Sequence, residues 1–131
     1  MSRYTEPEWS KSALITIDTQ CDLLDGQPFG IPGTSAILPR MKALLQAYRE
    51  SGKPIIHIVR IYKADGSNVD LCRRALIEGG AALVLAGSAG CQLAPELRPH
   101  PGIELDTDVL LSGGIQQLNP GEVAIYKPRW G

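Results

Sequence analysis

Two aliphatic, β-branched runs constrain this chain most: Ala-Leu-Ile-Thr-Ile at residues 13–17 and Ile-Ile-His-Ile-Val at residues 55–59. Runs that are apolar almost without alternation suit strands covered on both faces of a parallel sheet. Between them Ile37, Met41, Leu44, Leu45 and Tyr48 recur at helical spacing, with Thr34 and Ser35 as candidate caps. Gly52-Lys53-Pro54 then supplies the glycine and following proline that end a helix. Strand, helix and strand in that order predict a right-handed parallel crossover.

A third run, Glu-Val-Ala-Ile-Tyr at residues 122–126, predicts another strand. Asn68 can cap a short helix through Ile77, which Gly79-Gly80 would stop. Residues 82–85 read as a strand or a loop, and residues 92–97 as a brief helix before the Pro99-His100-Pro101-Gly102 turn. Together these predict an α/β fold: a doubly wound parallel sheet of the Rossmann-like, three-layer α/β/α type, with only its N-terminal part in this chain. The third strand runs straight into Lys127-Pro128-Arg129-Trp130-Gly131, with no crossover helix to cover it. No repeat or linker divides the sequence, so residues 1–131 are expected to be one domain, incomplete at its C-terminal side.

Charge removes some function classes. The 13 basic and 14 acidic side chains nearly cancel, which argues against nucleic acid or an anionic membrane surface as the main partner. No apolar run approaches the roughly 20 residues of a membrane span, and the first eight residues are polar, so a cytoplasmic protein is expected. Cys21, Cys72 and Cys91 are odd in number and widely spaced, which predicts reduced thiols.

Asp18 and Lys127 each follow an apolar strand directly. In a parallel sheet both would lie at the carboxyl edge, where open α/β sheets keep their ligand sites. Spacing leaves two readings open: an activating acid–base pair, or a turn-capping aspartate and a solvated lysine.

The surrounding motifs carry a resemblance. Residues 13–23, Ala-Leu-Ile-Thr-Ile-Asp18-Thr-Gln20-Cys-Asp22-Leu, are similar to the opening motif of the isochorismatase-like cysteine hydrolases. Pro32-Gly33-Thr34, Gly52-Lys53-Pro54, Ile58-Val59-Arg60, Gly87-Ser88-Ala89-Gly90 and Ile125-Tyr126-Lys127-Pro128-Arg129 continue that pattern in order. The resemblance implies hydrolysis of a small amide-like substrate, C–N cleavage above all, by an aspartate, lysine and cysteine triad. Asp18 would be the general base and Lys127 the cation that favours the thiolate. It further implies a homo-oligomer and a small-molecule substrate. The family's cysteine follows a further helix and strand after the lysine, so the nucleophile is expected to be missing from these residues.

Among the cysteines present, Cys21 lies nearest in sequence to Asp18, at a position the motif leaves non-catalytic. Cys72 and Cys91 read as packing residues. Some family members bind a metal after the second strand, but Arg60-Ile61-Tyr62 stands there, so neither metal nor cofactor is expected. His57 reads as a core imidazole or one supporting the site. Arg73 or Arg74 could hold a substrate carboxylate or simply face solvent. A serine hydrolase using Ser88 in Gly87-Ser88-Ala89-Gly90 fails on order, because no histidine follows His100. A catalytically inactive binding or interaction subunit is the other alternative.

Overall fold

The computed structural model describes residues 2–129; Met1, Trp130 and Gly131 lie outside the described residues, including the last two positions of the predicted tail. The strands are β1 (Leu14–Ile17), β2 (Ile55–Arg60), β3 (Gln116–Asn119) and β4 (Glu122–Lys127), in sheet order β1-β2-β4-β3. β1, β2 and β4 are mutually parallel, as their aliphatic runs predict. The α/β architecture is therefore as expected, with one correction. β3 is antiparallel to β4, so the sheet is mixed. Its sequence, Gln-Gln-Leu-Asn, buries only Leu118 and carries too weak an apolar pattern to be read as a strand; it is held by the turn through Gly121 (φ 72°) into β4.

The predicted helix is α1 (Thr34–Glu50), which places Leu38 and Leu45 in the core with Met41 and Tyr48 against it. Its cap differs from expectation. Gly33 takes the N-cap position, and the Asp25 carboxylate accepts from the Gly33 and Ser35 amides at 2.7 and 3.3 Å. Helix α2 (Leu71–Glu78) starts after Asp70 rather than Asn68. Asn68 instead pins the loop before it, accepting from the Lys63 amide and donating to the Ile61 carbonyl and the Tyr126 hydroxyl. Residues 82–85 form a loop with one bridge, between Tyr62 and Leu85, and the brief helix expected at residues 92–97 is a single turn, Pro95–Leu97. A short helix α3 (Thr107–Leu111), capped by Asp106, precedes β3.

The main core joins α1, Leu93, Leu97, Leu105 and Leu110 to Ile55, Val59 and Ala124 on one face of the sheet. A second cluster gathers Leu23, Tyr62, Val69, Ile77, Leu83, Val84 and Cys91 beyond the carboxyl edge. No helix among the described residues is long and apolar enough to cross a membrane.

Candidate active site

The site grows from the end of β1. The Asp18 amide still bonds the Ile58 carbonyl at 2.9 Å, but its φ of 54° turns the chain out of the strand. Left-handed backbone costs a non-glycine residue about 1 kcal/mol, and aspartate tolerates it better than most. The turn releases residues 19–23 to cross the carboxyl edge, where Gln20 bridges to Leu93. Fully buried, Gln20 donates to the Arg60 and Cys91 carbonyls at 2.7 and 2.6 Å and accepts from the Arg60 amide at 2.8 Å. One amide side chain thus ties the ends of β1 and β2 to the loop at residues 88–91. Asp22 completes the tie by accepting from the Val84 amide at 2.7 Å, and a Cβ at Gly90 would run into its carboxylate. Within the opening motif, then, Gln20 and Asp22 build the frame that holds Asp18.

Sequence reasoning placed Asp18 and Lys127 at one edge, and the structure brings them together: Lys127 Nζ lies 3.2 Å from Asp18 Oδ2. Asp18 is largely buried, and its Oδ1 is buried with no hydrogen-bond partner among the described residues. Such an oxygen is costly unless something else engages it.

Arg60 is the residue that sequence reasoning missed. It ends β2 between the other two strands, in register with Lys127, and is fully buried. Its guanidinium is 4.0 Å from Asp18 Oδ2, 3.0 Å from Asp70 Oδ2 and 3.1 Å from the Tyr62 hydroxyl. Arg73 closes on the same Asp70 oxygen at 3.1 Å. Charges therefore alternate along the edge, from Lys127 through Asp18, Arg60 and Asp70 to Arg73. The available signal was a charged residue inside the otherwise apolar run Ile58-Val59-Arg60-Ile61-Tyr62. A buried guanidinium and a buried phenol here do not suit a divalent cation, and no group of three metal-ligating side chains gathers among the described residues.

The other candidates fall elsewhere. Cys91 is buried beside Ser88, and burial above all pushes its thiol pKa up, which suits packing rather than attack. Cys21 Sγ donates to the Leu93 carbonyl at 3.6 Å. Cys72 corrects an expectation. It is exposed, because α2 buries only Ile77 and leaves Leu71 and Cys72 outside. Ser88 donates to the Leu85 carbonyl at 2.7 Å and caps the turn at residues 89–91, a loop-holding role. Arg74 donates to the Val69 carbonyl at the α2 entrance, whereas Arg73 stands at the end of the charged row through Asp70. His57 lies deep in the sheet, away from this edge, with Nδ1 2.6 Å from Thr16 Oγ1 and Nε2 donating to Glu122 at 2.7 Å.

Residues 12–108 match the model of the isochorismatase domain. The chain belongs to the isochorismatase family. An isochorismatase family protein from Desulfovibrio vulgaris shares 34% identity over 72% of this chain, with a TM-score of 0.63. A putative isochorismatase hydrolase from Oleispira antarctica shares 24% over 74%, with a TM-score of 0.52. N-carbamoylsarcosine amidase from Thermoplasma acidophilum has the same fold at 15% identity over 91% of the chain, with a TM-score of 0.56. The chain spans 52%, 46% and 55% of these three proteins, about half of each. A comparison with curated proteins found no match.

Proposed function

We propose that this chain supplies the acid–base half of an isochorismatase-type cysteine hydrolase acting on a small amide-like substrate. The observation that carries the reading is the Asp18–Lys127 pair at 3.2 Å, with a second, buried carboxylate oxygen left without a protein partner among the described residues. Asp18 takes the proton of a cysteine thiol through its open oxygen, and the Lys127 ammonium stabilises the thiolate that forms. The thiolate adds to the amide carbonyl, a C–S bond forms, and the C–N bond breaks as Asp18 returns its proton to the leaving nitrogen. Water then cleaves the thioester, with Asp18 again taking a proton. Amidase function in a structural neighbour, the Thermoplasma enzyme, is consistent with this substrate class.

None of Cys21, Cys72 and Cys91 suits the nucleophile's part, so the thiol comes from outside residues 1–131. The test joins this chain to the second half of the Desulfovibrio relative and assays release of ammonia or amine from a panel of small amides. The chain by itself is expected to be inactive and the chimera active. Asp18→Asn and Lys127→Ala should each lower the chimera's kcat/KM by about 100- to 10,000-fold, the usual range for a positioned proton-transfer group. Unchanged turnover in either variant would refute the assignment.

A further inference from the structure

A cavity of about 680 Å³ opens between α1 and residues 95–101, and no residue of the charged row lines it. Small-molecule sites run from about 300 to 1,000 Å³, so its size suits a ligand. On the helix wall Lys42, Gln46 and Arg49 stand four and three residues apart and therefore share one face. On the other wall Pro95, Pro99 and Pro101 each fix a backbone torsion, which makes that wall stiff as well as apolar. A preformed wall lowers the ordering cost of binding.

The charges around this cavity are not matched to one another. Arg49 is taken up by Glu122, which accepts from its Nε and Nη2 at 2.7 Å. Arg98 is anchored, with Nε donating to the Leu93 carbonyl at 2.9 Å and Nη2 turned to the Cys21 sulfur, and its Nη1 makes no hydrogen bond among the described residues. Lys42 and Glu96 form neither a hydrogen bond nor an ion pair among the described residues, and the Glu96 Oε2 atom is buried in that state. A buried carboxylate oxygen without a donor is costly. Two cations and a carboxylate thus line one cavity without closing on each other.

We propose that the cavity is a second ligand site, which takes a small zwitterion with an apolar body, of the amino-acid class. The ligand's carboxylate meets Lys42 and the unused nitrogen of Arg98, its ammonium meets Glu96, and its apolar part lies against the three prolines. Guanidinium and ammonium groups both suit a carboxylate, and the anchored Arg98 holds its geometry before the ligand arrives. A plain anion would satisfy the two cations and set like charge beside Glu96; a plain amine would satisfy Glu96 and set like charge beside Lys42 and Arg98. Only a ligand bearing both charges completes all three groups.

The test titrates the 131-residue chain with three matched probes: L-leucine, 4-methylpentanoate, which is leucine without its amine, and 3-methylbutylamine, which is leucine without its carboxylate. Calorimetry reads affinity, and the NMR shifts of the Lys42, Glu96 and Arg98 amides read location. Leucine is expected to bind one-to-one with a Kd of about 1 mM or below, and each single-charge probe about tenfold more weakly. Glu96→Gln should abolish the preference for leucine over 4-methylpentanoate. Lys42→Ala should weaken both of those probes about three- to fivefold and leave the amine no weaker; circular dichroism checks that each variant folds. Three results would overturn the inference: no saturable leucine binding, shifts that gather away from these residues, or 4-methylpentanoate or inorganic phosphate binding as tightly as leucine, which would mark a plain anion site.

Discussion

The three parallel strands carry a cluster of buried charge at each end, and the two clusters are finished to different degrees. At the amino end Glu122 is almost wholly buried, yet Arg49 holds both carboxylate oxygens at 2.7 Å and His57 adds a third bond. Arg49 also donates to the Leu97 carbonyl, and His57 continues to Thr16, so the network ties α1, β1, β2 and β4 together. At the carboxyl end Asp18 has two cations nearby, one oxygen without a partner among the described residues, and a backbone in the left-handed region. A closed network stabilises the fold, whereas an open, strained one is kept where a ligand or reacting group completes it. Carboxylate and cation thus form a closed anchor at one end and an open cluster at the other.

Removing Glu122 is the strongest way to break this comparison. Glu122→Ala leaves His57 buried and Arg49 without its carboxylate, and chemical denaturation should show a loss of about 3–5 kcal/mol. A loss below about 1 kcal/mol would mean that the amino-end network does not anchor the sheet. Next comes pH. Burial raises the Glu122 pKa, but the hydrogen bonds and charges of Arg49 and His57 outweigh it and hold the group at about 2 against its ordinary 4.5. Because the folded value is the lower one, the stabilisation is complete above about 4.5, declines as the pH falls, and is gone below about 2. Stability measured across that window should fall in the native chain and stay flatter in Glu122→Gln.

Two smaller effects sharpen the contrast at the carboxyl end. Gly90→Ala drives a methyl group against the Asp22 carboxylate and should lower stability by about 1–3 kcal/mol, as overpacking does. Asp18→Asn removes a charge from an unfinished cluster, so thermal unfolding should shift by less than about 1 kcal/mol even where activity collapses. A large destabilisation there would make Asp18 a second anchor and erase the difference between the two ends.

Local chemistry was enough to read the parallel strands and α1, because aliphatic runs, helical spacing and a Gly-Lys-Pro stop act over a few residues. The motif likewise marked Asp18 and Lys127. What escaped were features whose cause is distant in sequence. β3 is polar and exists through its pairing with β4, Asn68 pins its own loop instead of capping α2, and Asp25 reaches across a loop to the start of α1. Arg60 looked like a substitute at a metal position until the sheet set it between Asp18 and Asp70.

By itself, then, the sequence determined which segments form the parallel strands and which two residues stand at their carboxyl edge, since both follow from hydrophobic pattern and local order. Only the tertiary structure decided that Gln20 and Asp22 frame the site, that Glu122 is closed while Asp18 is open, and that Ile15 and Ile17 on the outer strand stay more than half exposed. Those properties depend on which groups meet across long stretches of chain, and on burial, which turns a polar side chain into either a satisfied anchor or an unfinished one.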